Sequence, residues 1–125
     1  MIDFENADFL KLRPVDADTY AADVQELLLP EERIEAAYQS VRDGLVFTSL
    51  RIIVINIQGI TGKKKDFTSL PYNRIQSFSV ETSGIVDLDS EVTLWFSGLG
   101  KVKLEFTRNC NVGAICRMIS AHTLR

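Results

Sequence analysis

Apolar positions along the chain change period twice, from helical to two-residue and back to helical. Between residues 16 and 29, Tyr20, Val24, Leu27 and Leu28 recur at helical spacing, Asp16 or Asp18 stands where a cap belongs, and Pro30 biases Leu29 out of the helix. The spacing predicts a short amphipathic helix whose apolar stripe covers either the domain's own sheet or a neighbouring chain. From residue 32 to residue 107 the period falls to two, in seven runs: 33–41, 45–48, 51–57, 64–70, 74–82, 91–96 and 101–107. Asp43-Gly44 has the composition of a hairpin turn, and Gly59 with Gly62 flanks another, because glycine accepts the positive φ such turns require. Connections this short favour antiparallel neighbours, so the pattern predicts an antiparallel barrel or sandwich.

The same alternation assigns faces. Val102, Leu104 and Phe106 point one way while Lys101, Lys103, Glu105 and Thr107 point the other, which describes a strand with one solvated side. In the third run Ile53, Ile55 and Ile57 fill one side while Ile52 and Val54 fill the opposite one, so both sides need cover. With Val92, Leu94 and Phe96 inward, Trp95 is forced outward, and an outward tryptophan points to an interface. After Asn109 the helical period returns: Val112, Ile115, Cys116 and Ile119 form one stripe that should plug the barrel, with Asn109 or Asn111 as cap. Ala114, Met118 and Ala121 form a smaller apolar line on its other side that a partner could use.

Composition narrows the function more than the fold. The 125 residues allow one core, and a net charge of −3 argues against nucleic-acid binding, which normally needs a basic face. The first residues have neither the basic nor the apolar region of a secretory signal, the longest apolar run, 52–55, is far too short to span a bilayer, and the expected compartment is the cytoplasm. Cys110 and Cys116 sit six residues apart, on different faces of a helix, and read as reduced packing residues. The single histidine, His122, has no sequence neighbour that would complete a relay, so no catalytic residue and no enzyme activity is expected. Asp87, Asp89 and Glu91 alternate like the opening of a calcium loop, but Val92 and Gly98 stand where the turn glycine and the bidentate glutamate belong. Asp87 and Asp89 are read as turn residues, and no metal or cofactor is expected. Lys63, Lys64 and Lys65 form the densest positive run, a candidate anion contact whose plainer reading is a solvated turn that discourages strand pairing.

Five ordered blocks carry a family resemblance: residues 38–48 (YQSVRDGLVFT), 58–64 (QGITGKK), 70–72 (LPY), 80–82 (VET) and 87–91 (DLDSE). Together they resemble the bacterial pleckstrin homology (PH) domain family over about residues 31–107. The resemblance implies a mainly β, PH-like, seven-stranded antiparallel bent barrel capped by a C-terminal α-helix. Residues 31–125 would form this domain and residues 1–30 an N-terminal helical extension. It also implies a non-enzymatic module that forms ring-shaped homo-oligomers, with a pentamer favoured, and the exposed features then become interface candidates: Trp95, Ile52, Val54, Ala114 and Met118. Lipid-headgroup binding does not carry over, since the first hairpin supplies only Arg42 beside Asp43. The expected function is a self-assembling scaffold that binds a protein or peptide. The alternative is a peripheral membrane adaptor that uses Lys63, Lys64 and Lys65 weakly and multivalently.

Overall fold

The computed structural model describes residues 2–4, 7–82 and 89–124. Its elements are β1 (Ala7–Val15), α1 (Ala21–Val24), β2 (Ile34–Gln39), β3 (Asp43–Thr48), β4 (Arg51–Gln58), β5 (Lys64–Pro71), a 3-10 turn (Tyr72–Arg74), β6 (Ile75–Glu81), β7 (Ser90–Phe96), β8 (Gly100–Phe106) and α2 (Val112–Thr123). All strands belong to one curled sheet in the order β5-β4-β3-β2-β1-β8-β7-β6. Two antiparallel meanders, β2 to β5 and β6 to β8, are joined by β1.

Among the described residues the sheet has eight strands, not seven, because β1 arises within the segment assigned to a helical extension. β1 pairs antiparallel with β2 through Arg13–Val15 and parallel with β8 through Ala7–Phe9 and Leu12. Its buried positions fall at Ala7, Phe9 and Leu12, and the register shifts between Phe9 and Leu12 where Lys11 adopts a φ of 57°. That irregularity breaks the two-residue alternation by which the other strands are recognised.

The expected helix over residues 16–29 is reduced to the single turn α1, flanked by four-residue turns such as Thr19 N–H to Asp16 C=O and Leu27 N–H to Val24 C=O. The stripe it was inferred from still works: Tyr20 and Val24 are buried, and Leu28 packs beside them, against Ala37, Val46, Ile53 and Ile55 on the outer side of β2 to β4. The expected hairpin turn also moves by a few residues. The tight turn spans residues 40–43, where the Ser40 amide donates to Asp43 C=O and the Asp43 amide donates to Ser40 Oγ. Gly44 lies inside β3, and a Cβ there would stand 2.6 Å from Tyr20 Cζ. Glycine is required at this position so that the Tyr20 ring can lie on the strand. Gly59 and Gly62 do form the second turn, with φ of 80° and 69°.

Ile52 and Val54 are corrected as interface candidates. Both are fully buried inside this chain's own core, with Leu45, Phe47, Leu94, Leu104, Phe106 and the α2 residues Ile115 and Ile119. β4 is therefore covered on one side by α2 and the opposite meander, and on the other by residues 20–28. Tyr38 centres the inner core, meeting Phe47 and Phe106 edge to face at 5.6 and 5.1 Å. α2 is capped by Asn111, whose side chain accepts from the Ala114 amide.

Candidate binding cleft

At the end of the first meander where β3 turns into β4, the backbone of residues 27–32, the β3–β4 turn, the 3-10 turn and the last turn of α2 enclose a cleft of about 440 Å³. Its floor is ionic. The Glu32 carboxylate, with no side-chain exposure, accepts from Arg51 Nε and Nη2 at 2.9 Å each, from Thr48 Oγ1 and from the Leu29 amide at 3.1 Å. Burial on its own would push the Glu32 carboxyl up, but the hydrogen bonds from Arg51, Thr48 and the Leu29 amide outweigh it and hold the group below its ordinary value. Arg51 also donates to Ser69 Oγ and to the Leu27 carbonyl. The ion pair therefore clamps both ends of the Leu27 to Glu32 turn onto β3 and β4.

The wall is aromatic. The Tyr72 hydroxyl donates to the Thr48 carbonyl at 2.8 Å, and its ring stacks on the His122 imidazole with centroids 4.6 Å apart and planes 16° from parallel. Burial, followed by the nearby Glu35 and Glu32 carboxylates, pushes the Tyr72 hydroxyl above the usual tyrosine range. His122 Nε2 lies 2.8 Å from Glu35 Oε1, a carboxylate contact that sequence reading missed because the two residues are 87 positions apart. Leu27, Leu29 and Leu50 form the rim, 41%, 51% and 44% exposed. The hydroxyl of Ser49, also lining the cleft, accepts from the Arg33 amide. The arrangement is an apolar mouth over polar groups already engaged with one another, a geometry suited to holding an apolar group.

The residues singled out from sequence do not gather at this cleft. Trp95 lies on the outer face of β7, opposite Ser77 and Lys101, and is 38% exposed. Ala114 is exposed on α2, and Met118 is half-buried against the core. The lysine run divides. Lys65 faces outward and pairs with Asp23 at 2.7 Å, Lys64 points to the opposite side of β5, and Lys63 sits in the preceding turn. Asp89 receives Lys11 Nζ, while Asp87 lies outside the described residues. Both cysteines are free thiols whose burial pushes their pKa up. Among the described residues no three His, Cys, Asp or Glu side chains converge as a metal site, and no helix is long and apolar enough to cross a membrane.

At the far end of the same meander the β2–β3 and β4–β5 turns are tied by Arg42 Nη2 donating to the Gly59 carbonyl at 2.9 Å. Their tips carry Val41 and Ile60, essentially fully exposed.

Two meanders of four and three strands, curled over one core and plugged by a C-terminal helix, define a pleckstrin-homology-like domain. The chain matches the bacterial PH domain family over residues 3–123, and it belongs to that family. It is 45% identical over 101 residues to the uncharacterized protein YjqA of Bacillus subtilis strain 168, covering 79% of this chain and 81% of that one. The crystal structure of a pleckstrin-homology-domain protein from Shewanella loihica PV-4 superposes with a TM-score of 0.81 at 34% identity, over 92% of this chain and 99% of the other. A pleckstrin homology domain from Shewanella amazonensis SB2B gives 0.70 at 41% identity, over 89% and 90%.

Proposed function

We propose that this bacterial PH-like domain is a non-catalytic, self-assembling module that takes an apolar side chain of a protein or peptide partner into the cleft above Glu32 and Arg51. The observation that carries this reading is the pairing of a rigid, internally satisfied floor with three half-exposed leucines at the mouth. A preformed site of this kind binds without first ordering itself, which lowers the entropic cost of docking. Self-assembly is the second half of the proposal: a cyclic homo-oligomer, with five copies favoured, in which Trp95 is buried at the seam and the side of α2 with the exposed Ala114 and the half-buried Met118 is a candidate second patch. Peptide selection from a random display library, followed by titration of a selected peptide into isotope-labelled protein, tests the cleft. Leu29→Glu with Leu50→Glu should weaken that peptide by at least about tenfold, about 1.4 kcal/mol. Equal affinity for the wild type and the double variant would place the binding elsewhere.

A second reading, contact with an anionic membrane surface, is favoured by the far end of the meander, where exposed Val41 and Ile60 stand beside Arg42, Lys63 and Lys64. Two apolar tips backed by cations suit a peripheral lipid contact. Co-sedimentation with phosphatidylserine vesicles should fall on Val41→Asp with Ile60→Asp, and binding indifferent to both salt and these substitutions counts against it.

A further inference from the structure

The curled sheet has two free edges, and they are built differently. β5, at one end, opens with Lys64, Lys65 and Asp66 and closes on Pro71, the charges and imino acid that discourage another strand from adding. β6, at the other end, pairs only with β7 among the described residues and carries no charge from Ile75 to Val80. The register shift between Ile75 and Ser77 leaves Ser77 to Glu81 as its regular part. In that stretch Ser77, Ser79 and Glu81 face outward with Trp95, Thr93 and Glu91, while Phe78 and Val80 face inward with Leu94 and Val92. Val80 is nonetheless 37% exposed, since no described strand continues the sheet beyond β6.

We infer that the β6 edge pairs antiparallel with β6 of a second copy of this chain about a two-fold axis at Ser79. Antiparallel partners share a face, so this register sets Phe78 against Val80 of the second copy on the apolar side, and Ser79 against Ser79 and Ser77 against Glu81 on the polar side. Apolar positions meet apolar ones, and no like charges oppose each other. The charges at the strand ends also complement. Arg74 and Lys101, neither held in an ion pair among the described residues, stand near the start of β6, and Glu81 stands at its end beside Glu91, which Lys103 of the same chain already holds at 3.3 Å. A two-fold arrangement lays the cationic end of each copy along the acidic end of the other, as a self-complementary interface must. Five paired residues make a small contact, so the dimer forms in a concentration-dependent way. This inference is independent of the cleft and of any ring built through Trp95: a two-fold contact joins two copies, or two rings, and in either case doubles the mass.

Sedimentation equilibrium on wild type, Ser79→Lys, Ser79→Glu and an equimolar mixture of the two variants tests it. Ser79 is exposed, so neither substitution disturbs the core. Each variant alone places like charges face to face at the axis and should halve the mass; the mixture, which sets an ammonium opposite a carboxylate there, should restore it. A wild type that stays monomeric up to about 1 mM, where association is worth only about 4 kcal/mol, overturns the inference. So does an assembly whose mass neither substitution changes, or a mixture that stays at half mass. Ring loss on Trp95→Ala would be a separate event, read in that variant alone.

Discussion

The outer faces of the two meanders start from similar strands and end in different states. On β2 to β4 the outward positions Ala37, Val46, Ile53 and Ile55 are apolar, and residues 20–28 lie across them in the same chain. On β6 to β8 the outward positions are Ser77, Ser79, Glu81, Glu91, Thr93, Lys101, Lys103 and Glu105, polar except for Trp95, and the described chain lays no segment over them. An apolar face demands burial and recruits the nearest amphipathic segment, whereas a polar face is stable in water and remains open to partners. Trp95 is the large apolar side chain of that open face, and it marks where a second surface would gain most by docking.

Breaking the clamp on the covered face should have the largest effect. Glu32→Gln leaves the Arg51 guanidinium without its buried counter-charge and loosens residues 27–32, costing about 3 kcal/mol of unfolding free energy by chemical denaturation. It should also change the acid limb. Because Glu32 is held below its ordinary value of 4.5 in the folded state, its stabilisation is present above about pH 4.5 and is lost as pH falls through the depressed folded value. Wild-type stability should therefore drop more steeply in acid than that of Glu32→Gln, and parallel acid limbs would show that the pair does not hold the clamp.

A middle-sized effect sharpens the comparison from the inside. Gly44→Ala places a methyl group 2.6 Å from the Tyr20 ring and should lift the covering segment at a net cost of roughly 2 kcal/mol. Amide exchange should rise at residues 20–25 and stay unchanged at β6 to β8. A uniform rise would mean that the cover and the sheet do not open separately.

The smallest effect on stability belongs to the open face. Trp95→Ala should cost only about 1 kcal/mol within one copy, while the mass in solution by light scattering falls. A stability loss well above about 1 kcal/mol with no change in mass would assign Trp95 to packing rather than to assembly.

The strands were legible because burial on one side imposes alternation, and the seven predicted runs all lie within a residue or two of β2 to β8. The Trp95 orientation followed from the inward triad of Val92, Leu94 and Phe96, and it holds. β1 was not legible: its bulge interrupts the alternation, and one of its partners, β8, lies some ninety residues away. The cleft was not legible either. Glu32 with Arg51, Tyr72 with His122, and His122 with Glu35 are separated by 19, 50 and 87 positions, and none of these pairs leaves a periodic trace.

Periodicity is a property of a strand or helix and the single face it buries, so the chain by itself determined the types and order of the elements from β2 to α2, the need for cover on both sides of β4 and the outward turn of Trp95. Which segment meets that need is a contest between the chain and its neighbours, settled by distance and shape. Here it was decided by Gly44 leaving room for the Tyr20 ring and by Arg51 and Glu32 tying residues 27–32 down. The tertiary structure thereby moved Ile52 and Val54 into the core, split Lys64 from Lys65 across a strand, and opened the cleft beside the clamp, because contacts between distant residues exist only once the sheet has curled.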